Sequence, residues 1–189
     1  MSHDERERLE RFRRGEPGAF DDLYAEYGRR VYRFCLRLCG GATADAEDLT
    51  QDVFVAAYRN LHRFEGRSTV STYLYKIAYY RWRQVRSAGV RELAFTSCGE
   101  GGGGWLAGGD PTGSQDPARR GVARMTLNAA LATLSDAQRA AFLLVKAEGL
   151  TCREAAEALG VPVGTVKYQV FEAVAHLRSF LEGGDDHAV

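Results

Sequence analysis

A chain of 189 residues, 45% hydrophobic and 26% charged, has the apolar content of one globular domain or two small ones, which excludes disorder throughout. Its 25 Lys and Arg balance 25 Asp and Glu, so attraction to a polyanion must come from a local patch and not from net charge. No apolar run approaches membrane-spanning length, and the charged start MSHDERERLERFRR lacks the apolar centre of a secretory signal, so a cytoplasmic protein without membrane insertion is expected.

In chain order, Pro17 suits the first turn of a helix that carries Phe20, Leu23, Tyr24, Tyr27, Val31, Phe34 and Leu38 at spacings of three and four. Gly40-Gly41 stops it. Thr43 then caps a second helix, whose acidic first turn (Asp45, Glu47, Asp48) suits the positive end of the helix dipole and whose core stripe is Ala46, Leu49, Val53, Ala56 and Ala57. After the polar loop FEGRSTV, a third helix is predicted from about Ser71 to Ser87, with Leu74, Ile77, Ala78 and Val85 inward. The stretch TSCGEGGGGWLAGGDPTGSQDPARR that follows is too rich in Gly, Ser, Asp and Pro to bury anything and reads as a flexible linker.

Beyond the linker, Ser135 with Gln138 and Thr151 with Glu154 have capping-box spacing, and Gly149 and Gly160 stand where C-terminal caps are expected. These signals predict helices over 136–148 and 152–159, a tight GVPVG connection, and a last helix from about Val163 to Glu182. Two helices joined by a short glycine-containing turn are a helix-turn-helix. No segment alternates apolar and polar residues as a half-buried strand would. The fold class is therefore all-α, with two small helical domains (1–92 and 122–189) joined by a flexible Gly-rich linker (93–121).

Charge is unevenly divided between the halves. From Arg59 to Arg91 the cations are Arg59, Arg63, Arg67, Lys76, Arg81, Arg83, Arg86 and Arg91 against the single acid Glu65, whereas from Gly121 onward acids outnumber cations. Single-stranded nucleic acid is held by cations that track phosphates and by aromatic faces that accept unstacked bases. The loop GRSTVST and the helix TYLYKIAYYRWRQVR offer both. The four cysteines (Cys35, Cys39, Cys98, Cys152) include no closely spaced pair of the zinc or redox type, so reduced thiols and no metal or cofactor are expected. Cys35 and Cys39, one helical turn apart, are read as packing residues, with a shared metal or stress oxidation as the sharper alternative.

The order of DAEDLTQDVFVAAYRNLHRFEGRSTVSTYLYKIA and then LTCREAAEALGVPVGTVK resembles bacterial RNA polymerase sigma factors of the sigma-70 family, extracytoplasmic-function group, which keep only conserved regions 2 and 4. The likeness spans roughly 20–87 and 127–181. It implies a promoter-specificity subunit with no catalysis of its own, whose partners are core polymerase (the clamp of the largest subunit and the flap of the second largest), promoter DNA and an anti-sigma factor. By resemblance Asp48, Gln51, Asp52 and Val55 dock on the clamp; the bland alternative is that the acids only complement the helix dipole. Arg67, Ser68, Thr69, Ser71, Tyr73, Lys76, Tyr79, Tyr80, Arg83 and Arg86 are the candidates for melting the minus-10 element and capturing a base. Tyr75 is assigned to the core. Where the family often has Asn and, four positions on, Asp or Asn, this chain has Tyr80 and Gln84, and Trp82 replaces a small residue.

The last helix departs from the family further. Its buried face is expected to hold Val163, Val166, Val170, Val174, Leu177 and Leu181, leaving Thr165, Lys167, Tyr168, Phe171 and Arg178 to meet the minus-35 element or a protein. Lys167 is the only cation between Gly164 and Arg178, and Glu172 faces phosphates badly unless it accepts from a cytosine amino group. A weakened reader follows, with Tyr168 and Phe171 either apolar readers of thymine methyls or a protein-binding patch. Two rivals to a working sigma factor are a mimic that sequesters an anti-sigma factor without binding DNA, and a helix-turn-helix repressor.

Overall fold

The computed structural model describes residues 2–92 and 127–183, with side chains for 2–87 and 127–180, and all its regular structure among these residues is helical. The elements are α1 (His3–Arg13), α2 (Ala19–Leu38), α3 (Thr43–Asn60) with a 3-10 turn at Leu61–Arg63, α4 (Val70–Glu92), α5 (described over 127–132), α6 (Asp136–Phe142) continuing into a π turn at Leu143–Ala147, α7 (Cys152–Leu159) and α8 (Val163–Gly183). The expected linker and Cys98 lie outside the described residues.

Both capping boxes form: Ser135 accepts from Gln138 N and Thr151 from Glu154 N, while each third residue's side chain reaches back to the cap amide. Such reciprocal bonds satisfy donors that a helix start otherwise leaves unpaired, each cap stabilising by about 1 kcal/mol. Gly160 ends α7 in the left-handed region, at φ 67. Thr43, by contrast, is the first residue of α3 and not its cap. Ala42 stands at the cap position and supplies no side-chain bond.

Helix α1 was not legible in the charged N-terminus. Ser2 caps it by accepting from Glu5 N, and its inner face is Glu5, Leu9 and Phe12. That face begins with a carboxylate, which leaves too short an apolar stripe to stand out. α1 packs on α2, α2 on α3 and α4, and α3 on α4, around Leu23, Val31, Phe34, Leu38, Val53 and Leu74. In the second half α6, α7 and α8 close around Ala140, Ala141, Leu144, Ala155, Val166 and Ala173.

The halves also pack on each other, α4 against α7. The Tyr75 hydroxyl donates to Glu148 Oε2 at 2.7 Å, and Arg37 Nη1 lies 3.5 Å from Glu148 Oε1. Arg139 is buried between two helix ends, donating to the carbonyls of Leu38 at 3.1 Å and Leu131 at 3.0 Å. These carbonyls carry the negative ends of α2 and α5, the favourable place for a cation. Burial lowers the Arg139 pKa, and Asp136 opposes that shift.

The buried faces needed three corrections. Tyr24 is 46% exposed although it falls on the α2 stripe, Val85 is 64% exposed although it falls on the α4 stripe, and Val163 is 38% exposed at the start of α8. In α8 the inward stripe centres instead on Val166 and Ala173, because α6 packs closely through the small Ala140 and Ala141.

Candidate functional site

The residues singled out in the sequence fall on three surfaces. On α3, Asp48, Gln51, Asp52 and Val55 are all exposed, at the i, i+3, i+4, i+7 spacing of one helix face. Of these, Gln51 and Val55 line a groove of about 710 Å³ between α2 and α3 together with Phe20, Tyr24, Phe54 and Tyr58, whereas Asp48 and Asp52 do not. The rings meet edge to face, Tyr24 with Phe54 at 4.7 Å and Phe20 with Tyr58 at 5.0 Å between centroids, and Tyr58 is 58% exposed. Sequence reasoning missed this groove because aromatic residues at helical spacing read as core.

The second surface lies where the loop before α4 meets that helix. Arg63, Arg67, Ser68, Tyr73 and Lys76 line an open cleft of about 420 Å³, with Asn60 at its edge. Thr69 and Ser71 do not line it; Thr69 Oγ1 accepts from Thr72 N at 3.1 Å and lies 2.9 Å from Ser71 Oγ and 2.8 Å from Thr72 Oγ1, so the start of α4 is capped within the loop. The Tyr73 ring packs tilted against Phe64 at 4.9 Å between centroids, and Arg67 pairs with Glu65. Glu157 of α7 also lines the cleft.

Not every candidate on α4 faces that cleft. Tyr79 is buried and packs on Trp82, so its ring is not open to DNA in this arrangement; its residue spacing put it beside Tyr80, but α4 turns it inward. Burial raises its pKa, an effect the adjacent Arg83 opposes from 5.7 Å above the ring. Tyr80 is exposed yet abuts α7, where any Cβ on Gly160 would collide with its hydroxyl. Arg86 stacks over Trp82 at 5.3 Å and pairs with Asp136 at 3.1 Å. Tyr75 is buried as expected, and its pKa is raised by burial and by the Glu148 carboxylate it donates to.

The third surface is the outer side of α8, where Thr165, Lys167, Tyr168, Phe171 and Arg178 are all exposed, Tyr168 by 60% and Phe171 by 70%. Glu172 is half-buried. Among the described residues no group of three His, Cys, Asp or Glu could hold a metal ion. Cys35 is buried and its thiol is pushed up to about 12 by burial; burial likewise pushes Cys39 to about 11, which disfavours thiolate chemistry at both. No helix among the described residues is long and apolar enough to cross a membrane.

Residues 23–89 match the family model for Sigma-70 region 2, and residues 124–177 match that for Sigma-70, region 4. The chain is 27% identical over 190 residues to the ECF RNA polymerase sigma factor SigW of Bacillus subtilis (strain 168), covering 93% of this chain and 96% of that one. The chain belongs to the sigma-70 family, in its extracytoplasmic-function group. Two solved structures share the fold of this sigma factor, each at 24% identity. CnrH, in complex with the cytosolic domain of CnrY, aligns with a TM-score of 0.69 over 95% of this chain and 97% of its own. RpoE of Bartonella quintana, in complex with the anti-sigma factor NepR, aligns with a TM-score of 0.68 over 87% of this chain and 98% of its own. The first two surfaces of this sigma factor lie within the region 2 match, except that Phe20 of the groove precedes it and Glu157 of the cleft falls in the region 4 match. The third lies in the region 4 match but for Arg178, one residue past its end.

Proposed function

We propose that this sigma factor docks on the clamp of core RNA polymerase through Asp48, Gln51, Asp52 and Val55 with the aromatic groove beside them, and holds the parted minus-10 strand in the cleft before α4. The observation that carries the reading is the convergence of Arg63, Arg67 and Lys76 on one cleft with the exposed ends of Ser68 and Tyr73. Three cations supply the phosphate attraction, and a ring at the cleft wall supplies a surface for an unstacked base. Region 4 then positions the complex upstream, with the flap as its polymerase contact, and an anti-sigma factor of the kind NepR is for RpoE regulates the assembly.

Within this reading the minus-35 helix is a weak reader of duplex. Its outer face carries two large exposed rings where phosphates call for cations, and such rings favour a protein contact over base reading. Replacing Glu172 by lysine should raise the affinity of the holoenzyme for minus-35 duplex about fivefold and steepen its salt dependence by about one counterion. A variant indistinguishable from the parent across a salt series would contradict a phosphate-facing Glu172.

A second reading has one observation in its favour: Glu157 places a carboxylate among the cations of the cleft, as a mimic with no use for DNA tolerates. Transcription in vitro with purified core polymerase separates the readings. A sigma factor initiates at its cognate promoter, a mimic does not initiate, and a repressor blocks initiation by another sigma factor.

A further inference from the structure

The ends of the loop that forms the cleft are fixed from outside region 2. The region 2 match begins at residue 23, yet α1 reaches both sides of the loop. Arg13 Nη2 donates to the Phe64 carbonyl at its start. At its end, Glu5 Oε1 accepts from Val70 N at 2.7 Å and from the Tyr27 hydroxyl at 3.0 Å, and Glu5 is only 6% exposed. Val70 is the first residue of α4, so its N–H has no carbonyl partner inside the helix and points along the positive end of the dipole. A carboxylate there is favourably placed, and its two donors offset the cost of burying it. Between these anchors run residues 65–69, which include Arg67, Ser68 and Thr69.

We infer that Glu5 and Arg13 are positioning residues for strand capture: by holding the Phe64 carbonyl and the Val70 amide, α1 sets the separation and direction of the loop ends and so aims Arg67 and Ser68 into the cleft. The inference rests on the reading of that cleft as the strand-capture site. Both anchors grip main-chain atoms flanking the loop, whereas Leu9, between them on α1, only packs. A purely packing helix needs no polar contact at either place.

The test uses holoenzyme and a fluorescent single-stranded oligonucleotide bearing the non-template minus-10 sequence. Glu5→Met removes the acceptor at similar size, Glu5→Gln keeps an acceptor, and Arg13→Met alters an exposed residue whose loss leaves the core intact. Glu5→Met and Arg13→Met should each weaken oligonucleotide binding about tenfold, with Glu5→Gln restoring most of it and core-polymerase affinity unchanged. Arg67→Gln is measured alongside. If Arg67→Gln weakens binding but Glu5→Met and Arg13→Met do not, the positioning role is overturned and the cleft stands. If Arg67→Gln has no effect either, the strand-capture reading itself fails. A parallel loss of polymerase and oligonucleotide binding would also overturn the inference, since it would mark α1 as general support only.

Discussion

Asp52→Lys is expected to weaken binding to core polymerase about a hundredfold while the fold stays intact. Asp52 is exposed, and α3 is anchored on its other side by Ala46, Leu49, Val53 and Ala57, so unfolding stability should move by less than about 0.5 kcal/mol. At a cationic partner surface the reversal converts an attraction into a like-charge contact that costs about 3 kcal/mol, hence the hundredfold change in Kd. The effect should shrink as salt rises, because Asp52 lies at the rim of the proposed interface. Titration of labelled core polymerase, with a thermal melt as control, measures both quantities. Equal affinity of variant and parent at low salt would remove α3 from the docking surface.

The helices easiest to read in the sequence were those with two signals that agree. α7 starts at a capping box and ends at a left-handed glycine, and its bounds came out as expected, Cys152–Leu159. α1 had neither a long apolar stripe nor a glycine stop of clear meaning, and its inward-facing Glu5 disguised it as a solvated charge run. Periodicity also cannot tell a core ring from a groove ring: Tyr24 and Tyr27 fall on the same stripe of α2, but only Tyr27 is covered, by α1.

Charge counting is incomplete in a related way. Among the acids beyond the linker, Glu148 binds Tyr75 and Arg37, Asp136 pairs with Arg86, and Glu154 completes a helix cap. Each of these carboxylates has a partner inside the protein, two of them across the contact between halves, so their charge is not free to repel a phosphate backbone. A sequence gives the sum of charges, and only the fold says which are already paired. The cleft residues Arg67, Ser68, Tyr73 and Lys76 were legible because a short polar loop entering a helix keeps them close in any fold. Tyr79 and Tyr80 were not, since the packing of α4 on the second half decides which ring is covered.

The second large effect is expected from Arg67, Lys76 and Arg83 acting together. All three are exposed, Arg67 and Lys76 line the cleft, and Arg83 lies over the Tyr79 ring further along α4. Arg67 and Lys76, pairing with phosphates in the partly desolvated cleft, contribute about 1.5 kcal/mol each and Arg83, outside it, about 1 kcal/mol, so removing the three should cost about 4 kcal/mol, roughly a thousandfold in the stability of the opened state. Core-polymerase binding, proposed to rest on α3, should not change. The measurement is the rate of minus-10 strand separation by holoenzyme carrying Arg67→Gln, Lys76→Gln and Arg83→Gln on a duplex promoter, followed by fluorescence of a base analogue in the non-template strand. At least a hundredfold loss, partly recovered on a template already unpaired at that position, is the predicted result; opening at the parent rate would contradict the assignment of this cleft.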